Sequence, residues 1–259
     1  MRRARIGTVM ALALAGVGVA GVPAAGQEVV MDSAAINALD RMGRYLNGVR
    51  EMEVSAAITI EHVLDDGQKI QNSTTADLVA VRPNRLRLAV NGDRHQRLFL
   101  YDGKTFVLWA PTLRYYATAA APESIILLAD TLEERFDIEL PLVDLFRWGT
   151  PQAPLSDITS ARDLGPAAVG GVTCQHYAFR QDGLDWEVWI QKGEHPLPRR
   201  LVLNTLTDDA RPQYTATYTW NLAPSYNNDS FTFVPPSDAR AIAWTEARPV
   251  YAPGQRRDR

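Results

Sequence analysis

Cys174 and His176 are the pair of residues whose types could form a nucleophile and its base. In a strand, positions i and i+2 share a face, so the two side chains can approach. A reactive thiol also needs a lowered pKa, and no third partner accompanies this pair. A buried structural cysteine is the other reading of Cys174. The remaining histidines, His62, His95 and His195, show no metal-ligand spacing, and there is no HExxH helix. His62 continues the face of Ile58 and Ile60, as a histidine at the end of a core face or as a polar anchor at a cavity mouth. No G-x-S-x-G elbow is present. The adjacent carboxylates Asp65–Asp66 and Glu133–Glu134 fall in a turn and on a helix surface, whereas glycosidase chemistry needs two that face each other. The residues therefore imply no catalytic centre, no metal and no cofactor. A hydrolase whose site is assembled from distant residues is a minor alternative.

Other residues suit binding. Aromatic side chains recur on strand faces, and Phe106, Trp109, Tyr177, Phe179, Trp186, Tyr214, Tyr218 and Trp220 are the candidates to line an apolar cavity. Large rigid rings give contact area at low entropy cost; the same rings could instead fill a solid core. Ile125, Ile126, Leu127 and Leu128 are more apolar than a helix with a solvated face requires, and suit a lid. Arg82, Arg85, Arg87, Arg94 and Arg97 cluster on neighbouring strands, as solvated charge or as a surface for an anionic headgroup or acidic partner.

The positioning elements follow from periodicity. Ile36, Leu39, Met42, Leu46 and Val49 predict a helix over 32–50, with Asp32 or Ser33 as its cap. From Val54 the period becomes two, and Asx-Gly turns at Asp65–Gln68, Asn91–Gly92 and Asp102–Gly103 predict an antiparallel meander. Pro122 and Ser124 open a second helix reaching Phe136, and 140–148 reads as helical or turn-like. Proline and glycine make 149–171 a loop. Alternation resumes after Gly171, is clearest at Leu184–Ile190 and Gln213–Asn221, and Phe231 and Phe233 suggest a last edge strand. No βαβ rhythm is present.

The 259 residues carry 27 Lys and Arg against 30 Asp and Glu, a formal charge of −3. Arg2, Arg3 and Arg5 precede an uncharged stretch from Ile6 to Gln27, and Ala24-Ala25-Gly26 suits a cleavage site. Residues 1–26 are thus predicted to be a signal peptide and 27–259 a single domain. Without the leader, 24 basic residues face 30 acidic ones, a charge of −6. An acidic exported chain without a basic block argues against nucleic acid. One cysteine excludes an internal disulfide, and no later run reaches the roughly 18 apolar residues that a membrane span needs. The expected location is the periplasm, in soluble form. Oligomeric state is not encoded in any feature of the sequence.

The stretch from Val54 to Leu145 resembles predicted periplasmic proteins similar in fold to the lipoprotein-localisation carriers (LolA/LolB-like). The carrying segments are Val81–Leu86, Leu100–Phe106, Tyr115–Tyr116, Cys174–Tyr177, Trp186–Ile190, Pro198–Leu201 and Phe231–Pro235. The resemblance implies a mainly β fold: a strongly curved antiparallel sheet, a half-open barrel of about nine to eleven strands, covered by two or three helices. It carries over no catalytic residue. The expected function is a non-catalytic periplasmic carrier or sensor of a lipid, acyl chain or other apolar small molecule, with transient membrane contact and room for an envelope protein partner. The alternative from another class is an envelope scaffold or accessory subunit without ligand.

Overall fold

The computed structural model describes residues 30–153 and 155–245. The predicted signal peptide lies outside the described residues. Helix α1 (Ser33–Gly48) starts where the Asp32 carboxylate accepts the Ala34 amide at 2.8 Å. Ala35, Ala38, Leu39, Met42 and Leu46 form its buried stripe.

A meander of six strands follows: β1 (Glu51–Val63), β2 (Lys69–Val81), β3 (Arg85–Gly92), β4 (Gln96–Tyr101), β5 (Thr105–Ala110) and β6 (Tyr115–Ala120). The β1–β2 turn falls where Asp65–Gln68 predicts it, with Gly67 at φ +81°. Helix α2 (Ile125–Phe136) is capped by Ser124, whose hydroxyl accepts the Leu127 amide at 3.2 Å. The short helix α3 (Asp144–Arg147) comes next. A second meander comprises β7 (Ser160–Val169), β8 (Val172–Gln181), β9 (Leu184–Gln191), β10 (Pro198–Thr205) and β11 (Gln213–Asn221). Strand β11 returns to pair with β1, which fuses the two meanders into one sheet.

The spatial order is β12-β6-β5-β4-β3-β2-β1-β11-β10-β9-β8-β7, where β12 (Arg240–Ala241) runs parallel to β6. This corrects the expectation of a strongly curved half-open barrel: twelve strands form one open sheet, neither closed nor strongly curled. Both edges are unsuited to pairing with each other. On β7 a bulge at Asp163/Gly165 and Pro166, which has no amide hydrogen, interrupt the edge, and the Val30 and Asp32 backbone occupies its start. On the other side β12 occupies β6. Strand β7 also falls inside the segment predicted as a loop, because its glycine and proline obscure a polar, half-exposed edge strand.

All three helices pack on one face, here the inner face. One core cluster joins α2 and α3 to β1–β5 and β11 through residues such as Val54, Leu78, Leu88, Phe99, Phe106, Leu128 and Phe146. A second joins α1 to β7–β9 through Leu39, Met42, Tyr177, Phe179, Trp186 and Val188. Trp220 and Leu201 pack against both. After β11 the chain crosses the outer face. Arg85 donates to the Asn228 side chain at 3.0 Å, and Phe233 lies 5.6 Å from Trp109. Phe231 therefore ends a 3-10 turn (Asn228–Phe231) rather than lying in an edge strand. Beyond β12 the chain rounds the sheet edge, and Trp244 enters the inner core between Phe106 (5.7 Å) and Phe136 (4.9 Å). Among the described residues no helix is long and apolar enough to cross a membrane.

Candidate functional site

Cross-strand register decides which predicted site residues meet. Phe179 pairs with Trp186, Trp186 with Leu203, Leu203 with Tyr214, and Tyr214 with Ile60. Tyr177, Phe179, Trp186, Tyr214, Tyr218, Trp220 and Phe106 all share the inner face. Trp109 does not: it stands one residue out of phase with Phe106 and Leu108, so it faces outward beneath Phe233 and the Arg114 guanidinium. Phe106 lies in the α2-covered cluster against Phe99 and Trp244, the cluster that also buries Tyr218 and on which Tyr214 and Trp220 pack. In the other half, Phe179 stacks on Trp186 at 4.3 Å and Trp148 approaches Trp186 at 5.9 Å.

Between Trp148 and the β9–β10 strands lies a cleft of about 240 Å³. Trp148, Leu184, Trp186, Leu201 and Leu203 supply its apolar wall, and Asp144, Arg147 and Gln152 its polar rim. Its volume is just below the roughly 300–1,000 Å³ typical of small-molecule pockets. The two largest of the other hollows, of about 590 and about 680 Å³, are walled by charged groups such as Arg50, Glu51, Arg162 and Asp185. The sequence reading of 140–148 as helical or turn-like covers α3, but no local pattern places that segment against β9 and β10 as the wall of a cleft. The wall is held by a close backbone approach: a Cβ on Gly43 would lie 2.7 Å from the Gly149 amide nitrogen. Gly149 itself has φ +75°, in the region glycine adopts without strain.

The rim is electrostatically uneven. Arg147 reaches Asp130 at 2.8 Å and Glu133 at 3.4 Å, and Asp144 adds a third carboxylate. Loss of water around Asp144 pushes its carboxyl up; Arg147 opposes this and Glu133 adds to it. Burial first, and Asp144 second, push the Tyr214 hydroxyl up to about 12. Tyr218 is raised further, by burial and then by Tyr214 and Asp144. Both phenols stay neutral.

The predicted lid residues lie on α2. Ile125 and Leu128 are buried against the sheet, Ile126 packs partly on the same core, and Leu127 is 45% exposed. The five arginines of the sequence cluster part company. Arg82 donates to the Leu46 and Leu145 carbonyls, at 3.4 and 3.3 Å, and ties the ends of α1 and α3 to the sheet. Arg85 and Arg87 lie on the outer face, and Arg94 and Arg97 line a groove beside β1 and β2.

Cys174 and His176 do share a face, the outer one, but make no dyad. Cys174 is 0% exposed, its thiol donates to the Val172 carbonyl at 3.4 Å, and burial raises its pKa. His176 bonds Glu187 at 2.7 Å and stacks on Trp189 at 3.9 Å. His195 bonds the Tyr45 hydroxyl at 2.7 Å. Among the described residues no group of three or more His, Cys, Asp or Glu is placed to hold a metal ion.

Several solved structures are similar to the chain at low identity. LprF from Mycobacterium bovis is 13% identical, with 81% of this chain and 99% of that one covered and a TM-score of 0.48. The lipoprotein LppX from Mycobacterium tuberculosis is 10% identical, covering 76% and 99%, with a TM-score of 0.40. A LolA superfamily protein from Nitrosomonas europaea is 10% identical, covering 77% and 97%, with a TM-score of 0.34. No curated protein matches the chain. A family model does: residues 35–244 match the family described as predicted periplasmic protein (DUF2092), and the chain belongs to that family.

Proposed function

We propose that the protein is a non-catalytic periplasmic carrier or sensor that binds a lipid, an acyl chain or another apolar ligand against the inner face of its sheet. The observation that carries this reading is the apolar cleft under Trp148, on the inner face that seven of the eight aromatic candidates share. An acyl chain seated there gains about 0.8 kcal/mol for each methylene buried. The volume holds part of a long chain, so a larger ligand needs the cover to yield. Helix α2, with Ile125, Ile126, Leu127 and Leu128, acts as the lid over the other half. Its opening exposes Ile125 and Leu128, which favours transfer at a membrane or an envelope protein that covers them. The ligand-free scaffold is the rival, favoured by the stacking of Phe99, Phe106, Trp244 and Phe136 into a filled core.

Protein purified without detergent and examined by native mass spectrometry tests the choice, together with titration of an environment-sensitive apolar dye. A lipid adduct, or saturable dye uptake that Leu203→Trp blocks, is the expected result. Neither adduct nor uptake would leave the scaffold.

A further inference from the structure

The inner face continues past the core at the free end of the β1–β2 hairpin. Strands β1 and β2 have 13 residues each, against 8 in β3 and 6 in β4, so the hairpin outruns its neighbours. There a groove of about 470 Å³ is floored by Ile60 and Val90, both packed on the main core, and walled by His62, Arg94, His95 and Arg97. Arg97 pairs with Val90 and points to the same face as Phe99 and Tyr101. Among the described residues, neither Arg94 nor Arg97 has an ion pair or a side-chain hydrogen bond, and Asp93 is the one carboxylate in the wall. Unpaired guanidiniums over an apolar floor are complementary to an anionic head joined to an apolar chain.

The groove and the cleft lie at the same end of the sheet. Leu203, Tyr214, Ile60 and Asn72 are successive cross-strand partners linking one to the other. Three strand spacings separate the ends of this row, roughly 14 Å. The polarity reverses along it: two arginines at the groove, and Asp130, Glu133 and Asp144 around the single Arg147 at the cleft. An anionic head is therefore attracted at one end and repelled at the other, which orients an amphiphile.

Resting on the apolar-ligand reading above, we infer that the Arg94–Arg97 groove binds the anionic head of an amphiphile, a phosphate or carboxylate, whose chain runs past Tyr214 into the cleft. Calorimetry with dodecyl phosphate, dodecanol and inorganic phosphate, each below its micelle concentration where one exists, tests this on the wild type and on the double variant Arg94→Gln/Arg97→Gln. Both arginines are exposed, so the variant is expected to melt with the wild type. Dodecyl phosphate should bind about tenfold or more tighter than dodecanol. The double variant should bring the two to parity without changing the affinity for dodecanol, and inorganic phosphate should bind far more weakly than dodecyl phosphate. Equal binding of the two amphiphiles by the wild type, or a preference that survives in the variant, overturns the inference and leaves the apolar-ligand reading intact. Inorganic phosphate binding as tightly as dodecyl phosphate also overturns it, since the groove would then be a site for free anions. Failure of both amphiphiles to bind overturns the apolar-ligand reading and this inference together.

Discussion

Under α2, Phe99, Phe106, Trp244 and Phe136 stack in series into a filled core. Under α1 and α3, Tyr177, Phe179, Trp186 and Trp148 stack in the same manner, yet about 240 Å³ stays open beside them. The two halves use the same residue types on the same face of one sheet. The difference lies in the cover. Helix α2 lays three turns along its half, and Trp244 arrives from the far end of the chain to fill the remaining space. Helix α3 is a single turn, and the glycine contact with α1 holds it at a fixed height above Leu201 and Leu203. Whether a sheet face of aromatic residues becomes a core or a cleft therefore depends on the length and docking of what lies over it.

The largest expected effect is in the filled half. Phe106→Ala should cost about 3–5 kcal/mol in chemical denaturation, because it leaves a cavity that the packed rings cannot close. A loss well under this range would show that the α2 half is as loose as the other. Gly43→Ala comes next. Alanine favours a helix interior by about 1 kcal/mol, but its Cβ meets Gly149 backbone, and overpacking costs about 1–3 kcal/mol. Net destabilisation is expected, with a change in Trp148 fluorescence as α3 lifts; a stabilised variant with unchanged emission would remove the glycine contact as the device that sets the cleft. Leu203→Trp places a ring in open space, so stability should stay within about 1 kcal/mol of wild type while apolar dye uptake is lost.

Asp144→Asn carries the smallest effect, and its sign is fixed by linkage. The carboxyl is raised in the folded state, so the native protein holds its proton more tightly than the unfolded chain does. Wild-type stability from this group therefore falls as pH rises from the ordinary carboxylate value through the raised one. The asparagine variant should be the more stable at about pH 7, with the gap closing below about pH 4. Thermal melts at both pH values measure it, and a gap that widened in acid would reverse the assignment.

Much of this architecture is visible in local pattern. The recurrence of Leu39, Met42 and Leu46 marks α1, and alternation at Leu184–Ile190 and Gln213–Asn221 marks β9 and β11 with the correct residues inward. Three features were not legible. Strand β7 is an edge strand whose glycine and proline imitate a loop. Trp109 groups with Phe106 in the sequence because that strand is apolar on both parities, the pattern of a strand covered on both faces; the structure puts the two rings on opposite faces, with the segment carrying Phe233 over Trp109. The cleft needs α3 beside β9 and β10, a contact between residues some forty positions or more apart, and no local period reports it.

By itself the sequence determined most of the elements, and the face of the side chains wherever alternation is clear, since the periods of 2 and 3.6 are properties of neighbouring residues. It also determined the acidic balance, which argues against a nucleic-acid partner, and the single cysteine, which excludes an internal disulfide. Only the tertiary structure decided that the sheet stays open, that Arg94 and Arg97 separate from Arg82, Arg85 and Arg87, and that one half of the inner face fills while the other keeps a cleft. Each of these depends on which edges are occupied and on how far a helix or strap reaches across the sheet. Those are relations between distant segments, set by packing.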